Sequence, residues 1–297
     1  MTITIEPLGG LGNQLFVYAL GLHLSQKHNA PLEADLWRFR NYDWHRYELD
    51  SISTQISRTY SSPHRGRFTD TARRVYREIT AARPKKMGAN RRLAIERTYF
   101  FNEEFLTLSP NVRLSGYFQS WRYFESVSEQ LRSEILSPIN PSTWLDTTRR
   151  DLQNFQGWIG VHVRMGNYRH IAAMGIIMED YYQRAIALLD NFYDSFRIVI
   201  FSDEPETVKS FRCFQGERFS FIDAPQATRP VESLIVMSDA SALILGNSTF
   251  SWWAAYLQDT PNRIVVAPRP WLDRRDFNER DLFPTHWLTV GRAHVPH

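Results

Sequence analysis

The stretch between Trp158 and Pro268 constrains the fold of this chain more than any other, because five short apolar runs recur in it with helical segments between them. The runs are "WIGVHVR" (158–164), "RIVIFSD" (197–203), "RFSFID" (218–223), "SALILGN" (241–247) and "RIVVAP" (263–268). Strands alternating with helices are the signature of parallel α/β layers. The clearest helix spans 179–193, where Tyr182, Ile186 and Leu189 recur at helical period. The first half repeats the alternation, with "TITIE" (2–6) and "PLEAD" (31–35) as strands around a helix over 13–28 that carries Phe16, Ala19, Leu20 and Leu24 on one side. A basic stretch interrupts it before "VRLSGYF" (112–118) resumes as a strand, followed by a helix near 121–136. Turn residues and prolines cluster in "SPINPST" (137–143), which marks a linker. Two doubly wound domains follow, over 1–140 and 141–297.

Composition narrows the setting. A chain of 297 residues, 43% hydrophobic and 23% charged, holds enough apolar residues for two cores. Its single cysteine, Cys213, rules out an intrachain disulfide and a cysteine metal cluster, which favours a reducing compartment. The opening "MTITIEPL" has no charged leader, and no apolar run approaches the roughly 18 residues of a membrane span, so a cytoplasmic location is expected. Net charge is +3, yet residues 65–97 carry an excess of eight positive charges. The plain reading is a solvated helical face. The sharper one is a peripheral contact with lipid headgroups at the inner membrane face, through Arg73, Arg74 and Arg77. No nucleic-acid module accompanies the charge, so no nucleic-acid partner is expected.

In doubly wound sheets, ligands bind at the carboxyl ends of strands. The first strand runs into "GGLGNQLF", where Gly10 and Gly12 fit the opening of a G-x-G-x-x-G dinucleotide loop but Leu15 occupies its third glycine position. Asp35 stands near where a ribose-binding acid would be. A cofactor loop, a sugar-nucleotide loop and an ordinary tight turn all remain open on this pattern. In the second half, "VHVRMGNYR" places His162 and Arg164 at alternate positions of a strand end, where an arginine can clamp phosphate or form a structural ion pair. "GNSTFSWW" takes a strand into a helix start carrying Ser248 and Thr249, which suits either capping or an anion. "FSDE" puts Asp203 where it can bind ribose or orient an arginine.

These segments, with "GYFQSWRYF", "YYQRAI" and "APRPW", resemble glycosyltransferase family 11, the α1,2-fucosyltransferases of bacterial type, in their order from about residue 3 to residue 288. The resemblance implies a GT-B-like α/β fold, with two Rossmann-like domains facing across a cleft. It implies a C-terminal domain holding GDP-fucose and an N-terminal domain admitting a β-galactoside or lipid-linked oligosaccharide acceptor, in surface polysaccharide or oligosaccharide synthesis. On that reading Gly10, Gly12 and Asn13 belong to a loop closing on the donor. His162, Arg164, Asn167, Asp203, Asn247, Ser248, Thr249 and Phe250 line the donor site.

The chain also departs from the family. The usual H-x-R-R-G-D-Y reads "HVRMGNY", so Met165 replaces the second arginine and Asn167 the aspartate. An aspartate suited to the guanine edge is replaced by Ser233, with Glu232 beside it as a substitute acceptor. The expected chemistry is inverting transfer of L-fucose from GDP-β-L-fucose to a galactose 2-hydroxyl, with Arg164 neutralising the leaving β-phosphate and no metal or other cofactor required. Asn167 cannot take a proton, and Glu6, beside the glycine loop, is a candidate base or a loop anchor. Two other readings stay open: a catalytically silent glycan- or nucleotide-binding protein on the same scaffold, and a dehydrogenase with NAD at "GGLGN".

Overall fold

The computed structural model describes residues 1–41, 45–52, 54–61, 86–87, 91–166, 168, 174–194, 196–258, 260–273, 277 and 279–292. The chain forms two compact units, Met1–Glu134 with Arg280–Leu282, and Ile135–Glu279 with Phe283–His297. The basic residues Arg73, Arg74 and Arg77 and most of 65–97 lie outside the described residues, as does Asn167.

The first unit is built on β1 (Ile3–Ile5) and α1 (Leu11–His28). Gly9, at φ +76°, turns the chain out of the strand, and Gly10 enters the helix in extended conformation. At its other end Asn29 adopts the left-handed conformation, and the Ala30 amide donates back to the Ser25 carbonyl, which closes the helix. Then come β2 (Leu32–Asp35), β3 (Ser57–Thr59), β4 (Lys86–Met87), β5 (Arg91–Ile95) and β6 (Val112–Ser115). Their order is β3-β2-β1-β6-β5-β4, parallel except for the β4–β5 pair. Where a helix is expected near 121–136, two single 3₁₀ turns, Trp121–Tyr123 and Glu125–Val127, precede α2 (Ser128–Leu136). Between them Phe124 leaves helical geometry and lies against Phe16, with ring centroids 6.0 Å apart. Tertiary packing overrides helical periodicity here.

In the second unit α3 (Thr143–Gln153) begins inside the expected linker. It leads to β7 (Trp158–Val163), α4 (Glu179–Leu189), β8 (Arg197–Ser202), α5 (Pro205–Val208), β9 (Phe219–Phe221), α6 (Pro230–Ser238), β10 (Ala242–Ile244), α7 (Thr249–Leu257), β11 (Val265–Arg269) and β12 (Leu288–Gly291). α4 stops before 193 because the Asn191 side-chain amide donates to the carbonyls of Ala187 and Leu188. The sheet runs β12-β11-β10-β7-β8-β9, wholly parallel. Counted from β7, that is the doubly wound order 3-2-1-4-5-6. Trp252 and Trp253 of α7 are fully buried, and Trp252 stacks on Tyr256 with centroids 5.0 Å apart. The paired tryptophans are therefore core.

Candidate active site

In the second sheet β7 and β10 are neighbours whose connections leave in opposite directions, so their carboxyl ends flank the topological switch point. Gly246, just past β10, permits the close approach there: a Cβ on it would stand 2.9 Å from the His162 carbonyl oxygen and 3.2 Å from His162 Nδ1. Ser248 then caps α7, its Oγ accepting from the Phe250 amide at 3.3 Å, while Ser251 Oγ donates back to the Gly246 carbonyl at 3.2 Å. This ties Ser248, Thr249 and Phe250 into a first helical turn at the strand ends, where the helix dipole favours an anion.

Arg164 follows β7, and its guanidinium pairs with Asp203, past the end of β8, at 2.7 Å. The other Asp203 oxygen accepts from the Met165 amide at 2.9 Å, and Gly166 packs so closely on this carboxylate that a side chain there has no room. Tyr168 lies 5.3 Å from the guanidinium carbon and donates its hydroxyl to the Asn247 carbonyl at 3.2 Å. Of the two roles open to Asp203, the structure shows the second: it orients an arginine. Met165 is buried with Val163, Ile177 and Tyr181 in the core of this unit.

His162 is 5% exposed, and burial, reinforced by the Arg164 charge, pushes its pKa down to about 3. The imidazole is neutral near pH 7, and its Nδ1 is buried with no hydrogen-bond partner. Its ring centroid lies 5.7 Å from that of Phe250. Asn247 resembles it: Nδ2 donates to the carbonyls of Met174 at 2.7 Å and Gly175 at 3.0 Å, whereas Oδ1 is buried and unpartnered. Two polar atoms at one pair of strand ends are thus left open to a hydrogen bond from outside the chain. Sequence reasoning passed over Gly246 and Tyr168, although both stand inside quoted motifs.

Other candidates lie elsewhere. Glu232, on α6, is buried with both oxygens occupied: Oε1 accepts from the Ser142 amide at 2.8 Å and from Arg229 at 3.2 Å, and Oε2 from the Ser142 hydroxyl at 2.7 Å. Burial alone would raise its pKa, but these donors outweigh it and hold the carboxyl below its ordinary value. The carboxylate offered to guanine in the sequence reading thus fastens the start of α3.

In the first unit Glu6 pairs with Arg38 at 3.1 Å and Arg113 at 3.2 Å. Arg113 also pairs with Asp35, which is fully buried and accepts from the amides of Ser61 at 3.0 Å and Trp37 at 3.2 Å. Both acids therefore sit in an ion-pair network at the ends of β1 and β2. Gly10 and Gly12 stand at the start of α1, and Asn13 Oδ1 accepts from Gln119 Nε2 at 3.0 Å. Gln14 explains the local conformation: fully buried, it donates to the carbonyls of Gly9 and Arg46 and accepts from the Glu48 amide. Among the described residues no helix is long and apolar enough to cross a membrane, and no three His, Cys, Asp or Glu side chains are placed to hold a metal.

The family model described as glycosyl transferase family 11 matches residues 94–291. An Escherichia coli alpha-1,2-colitosyltransferase is 29% identical, covering 98% of this chain and all of that one. The Escherichia coli O-antigen biosynthesis glycosyltransferase WbnK is 24% identical over 95% of this chain and 98% of its own. Among solved structures, the fucosyltransferase NodZ from Bradyrhizobium superposes with a TM-score of 0.53 at 12% identity, covering 85% of this chain and 91% of that one. That likeness agrees with the GT-B-like α/β fold expected from the sequence.

Proposed function

The chain belongs to glycosyl transferase family 11, and from that premise we propose that it moves a 6-deoxy-L-hexose, L-fucose in the first instance, from a GDP-linked donor to the 2-hydroxyl of a galactoside. The observation that carries the reading is the strand-end assembly of His162, Arg164 on Asp203, and the start of α7. The dipole at Ser248 and Thr249 receives the diphosphate, and Arg164 neutralises charge on the β-phosphate as the bond to C1 breaks. The acceptor O2 attacks C1 from the opposite face, so the configuration inverts, and its proton leaves to water or to the departing diphosphate. His162, neutral and with Nδ1 unpartnered, supplies a hydrogen bond to the base or sugar of the nucleotide. Asn13, Gly10 and Gly12 are assigned to the loop that meets the donor, and the role of Asn167 is assigned from its motif alone.

A second donor is favoured by one observation. The E. coli relative matched over its whole length is a colitosyltransferase, and colitose is the 3-deoxy form of L-fucose. The E. coli O-antigen relative supports an acceptor in a surface polysaccharide. Incubation with GDP-fucose or GDP-colitose and a lactose-type acceptor in EDTA, with linkage read by NMR, decides among these. An α1,2 product from either donor supports the reading. GDP binding by calorimetry without transfer from either would instead identify a silent nucleotide-binding protein, and an NAD-induced thermal shift without GDP binding would restore the dehydrogenase reading.

A further inference from the structure

Arg292 directly follows β12 and is 9% exposed; the carboxylates of Asp273 and Glu279 act on its charge, but none lies within salt-bridge distance among the described residues. Main-chain oxygens hold it instead. Nε donates to the Pro270 carbonyl at 2.6 Å, Nη2 reaches the Met174 carbonyl at 3.4 Å, and the backbone amide donates to the Arg269 carbonyl at 2.8 Å. The guanidinium lies against Gly175. A Cβ there would stand 2.6 Å from Nη1, 3.0 Å from Nη2 and 3.2 Å from Cζ and would press on the guanidinium, and at φ +63° the backbone favours glycine.

The same two residues hold Asn247. Its Nδ2 donates to the carbonyls of Met174 and Gly175, and the next residue, Ser248, caps α7. A contiguous set of contacts therefore runs from the end of β12, through the turn at 174–175, to the start of α7. The side chain at its far end carries the unpartnered Oδ1.

We propose that Arg292 is a positioning residue for the nucleotide-sugar site, setting through Met174 and Gly175 the orientation of Asn247 and of the first turn of α7. The inference rests on reading that strand end as the donor site. The test uses the full chain with Arg292→Met, Arg292→Lys and Gly175→Ala, titrated calorimetrically with GDP, and hydrogen exchange of peptides covering 246–250 without nucleotide. In Arg292→Met the GDP Kd should rise about tenfold, and exchange over 246–250 should quicken. Lysine, which can reach only one of the two carbonyls, should restore part of the affinity. Gly175→Ala should mimic the methionine variant, and the double variant should be no worse than either single, because both break one contact. If Arg292→Met melts lower but keeps its Kd within twofold and its exchange over 246–250 unchanged, the residue only fastens β12 and the proposal is overturned. If the wild type binds no GDP, the donor reading fails, and the exchange comparison alone still decides the positioning role. If the methionine variant does not fold, the lysine and alanine variants must show the same two effects, and the proposal falls if they do not.

Discussion

Arg164 owes its direction to Asp203, so the two residues should fail differently. If Arg164 neutralises the leaving β-phosphate as proposed, replacing it by alanine should raise the barrier by about 3–4 kcal/mol and lower kcat several hundredfold, in a protein that still melts cooperatively. Lysine should rescue little, because a point charge lacks the guanidinium fork. Asp203→Asn keeps the guanidinium but loosens it, and the cost should be about 1–2 kcal/mol. An alanine variant retaining more than about a tenth of wild-type kcat would overturn the assignment of Arg164. Glu232 gives the opposite pattern. Glu232→Gln should reduce stability by about 1–2 kcal/mol, since an amide cannot accept from both Ser142 donors and Arg229 at once. The folded-state pKa is depressed, so this contribution is present above the ordinary glutamate value near 4.5 and is lost as pH falls below it. Urea titrations at descending pH should show the wild-type advantage in full at pH 7 and shrinking as the pH falls through the depressed folded-state pKa. The residue types at both places were legible in the sequence. Their partners were not: Asp203 lies 38 positions beyond Met165, and Ser142 lies 90 before Glu232, so only the folded structure shows which donors each carboxylate holds.

At the scale of elements, α1 shows packing set against propensity. Alanine at Gly21 should favour the helix by about 1 kcal/mol. Yet its Cβ would stand 2.6 Å from Ile5 Cγ2 and 2.9 Å from Leu32 Cδ1, and overpacking a helix–sheet contact costs about 1–3 kcal/mol. Gly21→Ala should therefore lower the melting temperature, and a rise would show that α1 can lift off its strands without penalty. The strong elements were legible because their burial is periodic or nearly complete: α1, α4 and strands β1, β2, β6 to β8, β10 and β11 all coincide with apolar runs in the sequence. β12 was not, because an edge strand with one neighbour is largely exposed and its "LTVG" carries no such run. α3 was hidden for a related reason. Only Leu145 and Leu152 are buried on it, and its start lies among the prolines and serines that read as a linker.

For the whole molecule, the strand ends proposed as the donor site belong to one of two compact units. Calorimetry should then show GDP at about 100 times its Kd stabilising the second unit by about 2.7 kcal/mol, with a shift in the transition assigned to it. Equal affinity of GDP for folded and unfolded chain would leave both transitions in place. The parallel layers were legible in the alternation of strands and helices. The return of Arg280–Leu282 to the first unit was not, because nothing in three residues of sequence announces it. Ser120 Oγ donates to the Asp281 carbonyl at 2.7 Å and Arg122 pairs with the Asp281 carboxylate at 3.0 Å, across separations of 161 and 159 residues. On a ribosome these contacts form only after β7 through β11 have been translated. The domain that is synthesised first is thus completed late, and its closure must be among the slow, high-contact-order steps of folding. A message truncated before codon 280 would yield an unfinished amino-terminal domain as well as a shortened second one, and nascent chains stalled there would be open to proteolysis in a region made long before the stall.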